Sequence, residues 1–427
     1  MRAYERLLQY VRVHTSSDET TSDRVPSTER QFDLSRMLER ELTALGFSEV
    51  FVDEHAYVYG ALPATAGMEN APRIALIAHI DTIPDYDFSG ENVQPQIVSS
   101  YDGGDLPLGE SGRVLTGAQF PDLKAAVGKT LITTDGTTVL GADDKAGVAE
   151  IMTACEELIA EGLPHGRVAV CFTPDEEIGH GAELLDLDRL GADFAYTVDG
   201  GAPEEINFET FNAAGAVVEI AGVNVHPGDA KGKLRSAAHV AMEFDALLPA
   251  AERPERTEGY EGFYHLTELK ADVESARLHY IVRDHDAARF DARKATMEQA
   301  TQYLNEVYGD DTVTLTLRDQ YRNMAEVLSG CPEVLTRAEN AIRAAGLTPA
   351  RRPIRGGTDG AQLSFRGLPC PNLGTGGYGC HGPYEHICAE DMDAMVKVLK
   401  ALLSTLKVLK FQLFPRISEA PHRGCAA

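Results

Sequence analysis

The stretch Arg73-Ile74-Ala75-Leu76-Ile77-Ala78-His79-Ile80-Asp81 decides the fold. Its apolar run is short and nearly continuous, the pattern of a strand covered on both faces rather than one with a solvated side. Where the strand Arg73 to Ala78 runs out come His79 and Asp81, and the two-residue period of extended chain points both polar side chains the same way. Upstream, Thr28 and Gln31 have the spacing of a capping box. From there Phe32, Leu34, Met37, Leu38, Leu42 and Leu45 share one helical face until Gly46. A helix, a strand from Glu49 to Asp53 and then a buried strand begin an α/β layer.

The alternation continues with a helix from about Lys145 to Glu161, a strand Val168 to Thr173, a helix near Ala182 to Leu190 and a strand Phe194 to Val198. Such a series predicts an α/β fold with a mostly parallel sheet and helices on both faces, whose ligands collect beyond the carboxyl ends of the strands. Between about Phe211 and Gln320 the texture changes. Strand Ala216 to Val225, helix Ser236 to Leu248, strands Phe263 to Leu269 and Ala276 to Val282, helix Ala287 to Val307 and strand Thr312 to Leu317 spell the ferredoxin-like β-α-β-β-α-β unit. From Cys331 the first texture resumes and ends in a helix from Asp391 to about Leu409. The expectation is a discontinuous catalytic domain over 1–210 and 326–427, interrupted by an inserted α+β domain over 211–325. The tail after Phe411, with Pro415, Pro421 and Gly424, is expected to fray.

Charge narrows the function. Sixty-six acidic against thirty-nine basic side chains give a net charge of -27, which argues against nucleic acid or an anionic membrane as partner. The amino terminus lacks the pattern of an export signal, and no apolar run approaches a bilayer span. Seven scattered cysteines without a C-x-x-C pair suggest neither a disulfide framework nor a thiolate metal site, so a reducing, cytoplasmic compartment is expected.

Five short polar clusters carry the chemistry. His79-Ile80-Asp81 fits a metal-bound imidazole oriented by a carboxylate, or a hydrogen-bonded turn. Gly141-Ala142-Asp143-Asp144-Lys145-Ala146-Gly147 enters a helix. One aspartate is explained by capping, whereas two adjacent ones also suit a carboxylate bridging two cations. Thr173-Pro174-Asp175-Glu176-Glu177-Ile178-Gly179 follows a strand. It is either a solvated acidic loop or the source of both a ligand and a free base. Asp199-Gly200-Gly201 and Cys380-His381-Gly382 are commonplace alone. Their coincidence beyond strands of one sheet gives a set able to hold two zinc ions with an open water position.

The ordered set H-I-D-T, G-A-D-D-K-A-G, T-P-D-E-E-I-G, T-V-D-G-G, N-V-H-P-G-D-A-K-G, R-G-G-T-D-G-A and C-H-G closely resembles the peptidase T branch of the M20 metallopeptidases. The match runs from the first helix to the last. The resemblance implies a zinc-binding catalytic domain in which His79 and Asp199 hold one zinc, Glu177 and His381 the other, and Asp143 bridges both. Asp81 would steer His79, and Glu176 would take the proton of a bridging water whose hydroxide attacks the first peptide carbonyl of a tripeptide. It also implies that the inserted domain is a lid that forms a homodimer, that His226 supports the developing oxyanion, and that Arg283 and Arg355 meet the substrate carboxylate.

The chain departs from that pattern in two places. Ser236 stands where an asparagine is expected, and Gly382-Pro383-Tyr384-Glu385 replaces Gly-Lys-His-Glu. Both bear on substrate preference rather than on the ligands. The competing readings are a related dipeptidase, carboxypeptidase or N-acyl amino acid deacylase using the same metals, and a metal-binding or regulatory protein without turnover.

Overall fold

The computed structural model describes residues 1–84 and 87–404. The chain forms two compact units, one from Met1–Phe208, Glu326–Arg352 and the chain from Thr358 on, the other from Glu209–Ala325 with Pro353–Gly357.

An eight-stranded sheet is the frame of the first unit. At its centre, Ile74–His79 lies parallel to Val168–Thr173 on one side and to Phe194–Gly200 on the other, and Asn372–Gly374 extends the parallel set. Every residue of Ile74–His79 and Val168–Thr173 is buried, as continuous apolar runs require. Alternate residues serve opposite faces. Leu76 and Ala78 join the core formed with the helices Ala3–Tyr10, Ala142–Ala160, Pro332–Ala344 and Ala389–Ser404. Ala75 and Ile77 join a second core with Tyr57, Tyr59, Cys171, Leu363 and Cys370.

The sheet is mixed rather than uniformly parallel. Val58–Leu62 pairs antiparallel with Val168–Thr173, Ser48–Val52 with Val58–Leu62, and Glu205–Glu209 with Asn372–Gly374. Parallel pairing is kept where the strand ends gather, and antiparallel strands close the flanks. A smaller antiparallel sheet takes Gly377–Tyr378, His386–Cys388, Leu131–Thr133 and Gln96–Val98 in that order. The loop joining its first two strands carries His381.

The second unit has the strand-helix-strand-strand-helix-strand order expected of it. Phe263–Ala271, Ser275–Asp284, Asn212–Ala221 and Val313–Tyr321 form one antiparallel sheet. Residues of Ala237–Leu247 and Ala287–Tyr308 complete its own core around Phe244, Leu278, Met297 and Leu304.

Two local expectations need correction. The early helix is Gln31–Ala44 and has no side-chain cap. The capping-box residues are used elsewhere, Thr28 donating its hydroxyl to Ser16 O and Gln31 its amide to Asp175 Oδ1. The helix near Ala182 to Leu190 shrinks to Leu187–Leu190, because Arg366 takes the carbonyls of Ala182 and Leu185 that a longer helix would use. The last helix is Ala389–Ser404, and its expected continuation and the tail lie outside the described residues. Among the described residues no helix is long and apolar enough to cross a membrane.

Candidate metal centre

The strand ends of the first unit bring His79, Asp143, Glu176, Glu177, Asp199 and His381 together. Asp143 lies at the middle. Its Oδ1 is 3.1 Å from His79 Nε2, and its Oδ2 is 3.1 Å from His381 Nε2. Asp199 Oδ1 stands 3.6 Å from His79 Nε2, and Glu177 Oε2 stands 3.1 Å from His381 Nε2. The shared aspartate therefore divides the ligand atoms into a His79–Asp199 half and a His381–Glu177 half. Two sets, His79–Asp143–Glu177 and His79–Glu176–Asp199, have ligand atoms within 4.8 Å of one another, the spread that a single cation can gather.

Local sequence explains how these side chains are aimed. His79 ends the central strand, and its Nδ1 faces Asp81, 3.1 Å from the carbonyl and 3.3 Å from Oδ1. These acceptors hold the Nδ1 proton and leave Nε2 facing Asp143 and Asp199. Asp81 has a further role that its position beside His79 did not reveal. Its Oδ1 accepts from Glu176 N at 3.0 Å and its Oδ2 from Glu177 N at 3.2 Å, so one buried carboxylate orients a ring and suspends both glutamates.

The Glu176–Ile178 turn is pinned from its other side by Asp175, a non-glycine residue in left-handed conformation, φ 54°. Its carboxylate accepts from Ser27 N, Ser27 Oγ and Gln31 Nε2, each at 2.6 Å, and these bonds offset the conformational cost. Asp144 accepts from His79 N and Gly147 N. A Cβ on Gly147 would lie 1.9 Å from Val198 O, so glycine at that motif position lets the helix start approach the strand that carries Asp199. Glu385 grips the Asp143 loop, accepting from Gly141 N at 2.7 Å and Asp143 N at 2.8 Å.

Electrostatics shows what the protein alone leaves unbalanced. Burial, with neighbouring acids adding to it, pushes Glu177 up to about 7 and Asp199 up to about 6. The same cause holds Glu176 and Asp144 well above the usual carboxylate range. For Asp143, hydrogen bonds from both imidazoles outweigh burial and hold its pKa far below that range. Burial opposes charge on His79, but Asp199, Asp143 and Asp81 outweigh it and raise its pKa well above the ordinary imidazole value. His381 is pushed up to about 11 by its hydrogen bonds to Asp143 and Glu177. Crowded carboxylates offset by protonated imidazoles are the donor set a divalent cation satisfies, and mixed imidazole and carboxylate ligands suit a first-row metal. Buried Asp359 lies near these groups: one oxygen accepts from Thr173 Oγ1 at 2.9 Å, and the other has no hydrogen-bond partner among the described residues.

His226, Arg283 and Arg355 belong to the second unit. His226 opens the Pro227–Asp229 turn with an exposed ring that accepts from Gly228 N. Arg283 donates to Ala214 O and Val282 O beneath the Tyr321 ring. Arg355 donates to Gly259 O, Glu261 O and Thr257 Oγ1, each at 2.8 Å, and lies over Phe211 and Phe263. Ser236 precedes the helix Ala237–Leu247 without capping it through its side chain.

Known proteins resemble this chain in sequence and in fold. The sequence pattern of peptidase family M20/M25/M40 matches residues 140–405. A peptidase T of Geobacillus kaustophilus is 50% identical over 408 residues, 95% of this chain and 98% of that one. Among solved structures, the aminopeptidase PepT of Bacillus cereus superposes with a TM-score of 0.74 at 24% identity, covering 94% of this chain and 97% of that one. YxeP of Bacillus subtilis, a dinuclear metal-binding M20 peptidase, superposes with a TM-score of 0.61 at 14% identity, covering 94% and 98%. These two structural likenesses bear on the fold alone.

Proposed function

This chain belongs to the peptidase T group of peptidase family M20/M25/M40, and we propose that it is a di-zinc aminopeptidase that releases the amino-terminal residue of tripeptides. The observation that carries the reading is Asp143, whose two oxygens face two different imidazoles at 3.1 Å each, as a carboxylate shared by two cations must. His79 and Asp199 would hold one zinc, Glu177 and His381 the other. Bound there, the ions supply Lewis acidity that polarises the scissile carbonyl and makes water acidic enough to attack at neutral pH.

The chain's own groups do the rest. Glu176, suspended from Asp81 through its backbone N–H, accepts the proton of the attacking water and passes it to the departing amine, a role suited to a carboxylate of raised proton affinity. Asp81 fixes the His79 ring so that Nε2 stays free for metal. His226, Arg283 and Arg355 are the proposed substrate-binding residues. The same reading places the enzyme in the cytoplasm as a homodimer joined through the inserted unit, with short peptides as its substrates.

The test is a substrate panel with and without EDTA. A free-amine tripeptide should lose its first residue, an N-acetylated one should be refused, and chelation should stop the reaction until Zn²⁺ is restored. Equal rates with and without the chelator would remove the metal mechanism. Preferential cleavage of dipeptides, of carboxyl-terminal residues or of the acetyl group would move the enzyme to another activity of the family.

A further inference from the structure

The loop that carries His381 also carries Glu385, and the two residues reach the same aspartate, one at its carboxylate and the other at its backbone N–H. His381 Nε2 meets Asp143 Oδ2 at 3.1 Å. Glu385, 1% exposed, accepts with Oε1 from Asp143 N at 2.8 Å and with Oε2 from Gly141 N at 2.7 Å. The loop is folded tightly enough to do both. His381 has φ 63° and Gly379 φ 67°, Glu385 N donates to Gly382 O, and His386–Cys388 follows immediately as a strand paired with Leu131–Thr133. The His79 half owes its geometry to other anchors, Asp81 and Asp144.

We propose that Glu385 is a positioning residue that fixes the separation of Asp143 from His381 and so sets the affinity of the cation shared by Asp143, Glu177 and His381. The proposal rests on the two-metal reading above. A carboxylate is needed because both partners are N–H donors, and each oxygen must accept. A glutamine would accept from one and oppose its own N–H groups to the other. Freed at one end, the Asp143 loop would no longer hold its Oδ2 at ligand distance from a histidine that is itself 57% exposed. The His79 half keeps a buried ring, Asp199 and its own supports.

The experiment is calorimetric titration of Zn²⁺ into chelator-stripped protein, repeated with Co²⁺ followed by its visible absorption. Wild type should show two binding events, and His381→Ala identifies the one that belongs to the His381 half. In Glu385→Gln that event should weaken about 10- to 100-fold, as loss of a partner supporting a ligand does, while the other should stay close to its wild-type value, because His79 keeps Asp81 and Asp144. Only the Co²⁺ band assigned through His381→Ala should change. Circular dichroism of the metal-free variants checks folding, and Glu385→Asp, which keeps the charge but is too short to reach both donors, carries the same comparison if the glutamine variant does not fold. Wild type binding fewer than two ions would remove the two-metal reading itself. Wild type binding two, with the Glu385 variants unchanged or weakened equally at both events, would overturn the role of Glu385 and leave that reading intact.

Discussion

The two halves of the centre are made of different material. His79 is 2% exposed and His381 57%. His79 closes a fully buried strand of the central sheet, its Nδ1 held by Asp81 and its backbone N–H by Asp144. His381 rides on a loop in left-handed conformation, and its two partners are Asp143 and Glu177. One histidine is part of the folded core, and the other reaches the buried Glu177 and the shared Asp143 from an exposed loop. Removing the histidine from each should therefore give unequal results.

The largest difference is expected in the metal-free fold. His79→Ala would leave Asp81, Asp143 and Asp199 facing one another without their buried cation, a loss of about 3–5 kcal/mol. His381→Ala removes a more exposed side chain, whose pairs with Asp143 and Glu177 are partly screened by solvent, and should cost only about 1 kcal/mol. Urea denaturation of the two chelator-treated variants measures this directly, and equal losses would end the distinction between core and attached halves.

Next comes Glu176, which hangs from the same Asp81 that orients His79. Glu176→Gln should lower kcat by about 10²- to 10⁴-fold while both zinc ions remain bound, since the glutamine keeps the shape of the turn. A variant that lost metal in proportion to activity would make Glu176 a ligand of the buried half instead of its base.

What could be read from the sequence follows the same division. The central strands announced themselves because burial on both faces writes a continuous apolar run, and the acidic clusters were conspicuous at the ends of those runs. The supports were silent. Asp81 reaches Glu176 across 95 positions, Asp175 reaches Ser27 across 148, and Glu385 reaches Asp143 across 242. A hydrogen bond from a distant backbone N–H leaves no periodic trace in either stretch. Val58–Leu62 escaped because five residues containing Gly60 carry little strand signal until an antiparallel neighbour supplies the pairing. The T-x-x-Q spacing misled for a related reason: Thr28 and Gln31 satisfy partners far from the helix start.

The smallest expected effect concerns protons, and it involves both halves at once. In the metal-free fold Glu177, of the attached half, is pushed up to about 7, and Asp199, of the core half, up to about 6, whereas unfolded chains release these protons near pH 4. A raised folded-state pKa means that the native protein binds more protons than the unfolded one, so this contribution is full below about pH 4 and is lost as pH climbs through 6 and 7. Glu177→Gln combined with Asp199→Asn cannot ionise there. Relative to that double variant, the metal-free wild type should lose on the order of 2 kcal/mol between pH 6 and pH 8, read from urea denaturation at each pH. Zn²⁺ should reverse the trend by taking the place of the protons, and calorimetry in buffers of different ionisation enthalpy should record their release on binding. A stability difference independent of pH, or zinc binding without proton release, would mean that these carboxylates are already ionised in the empty site. The cation would then be drawn into standing negative charge instead of displacing protons.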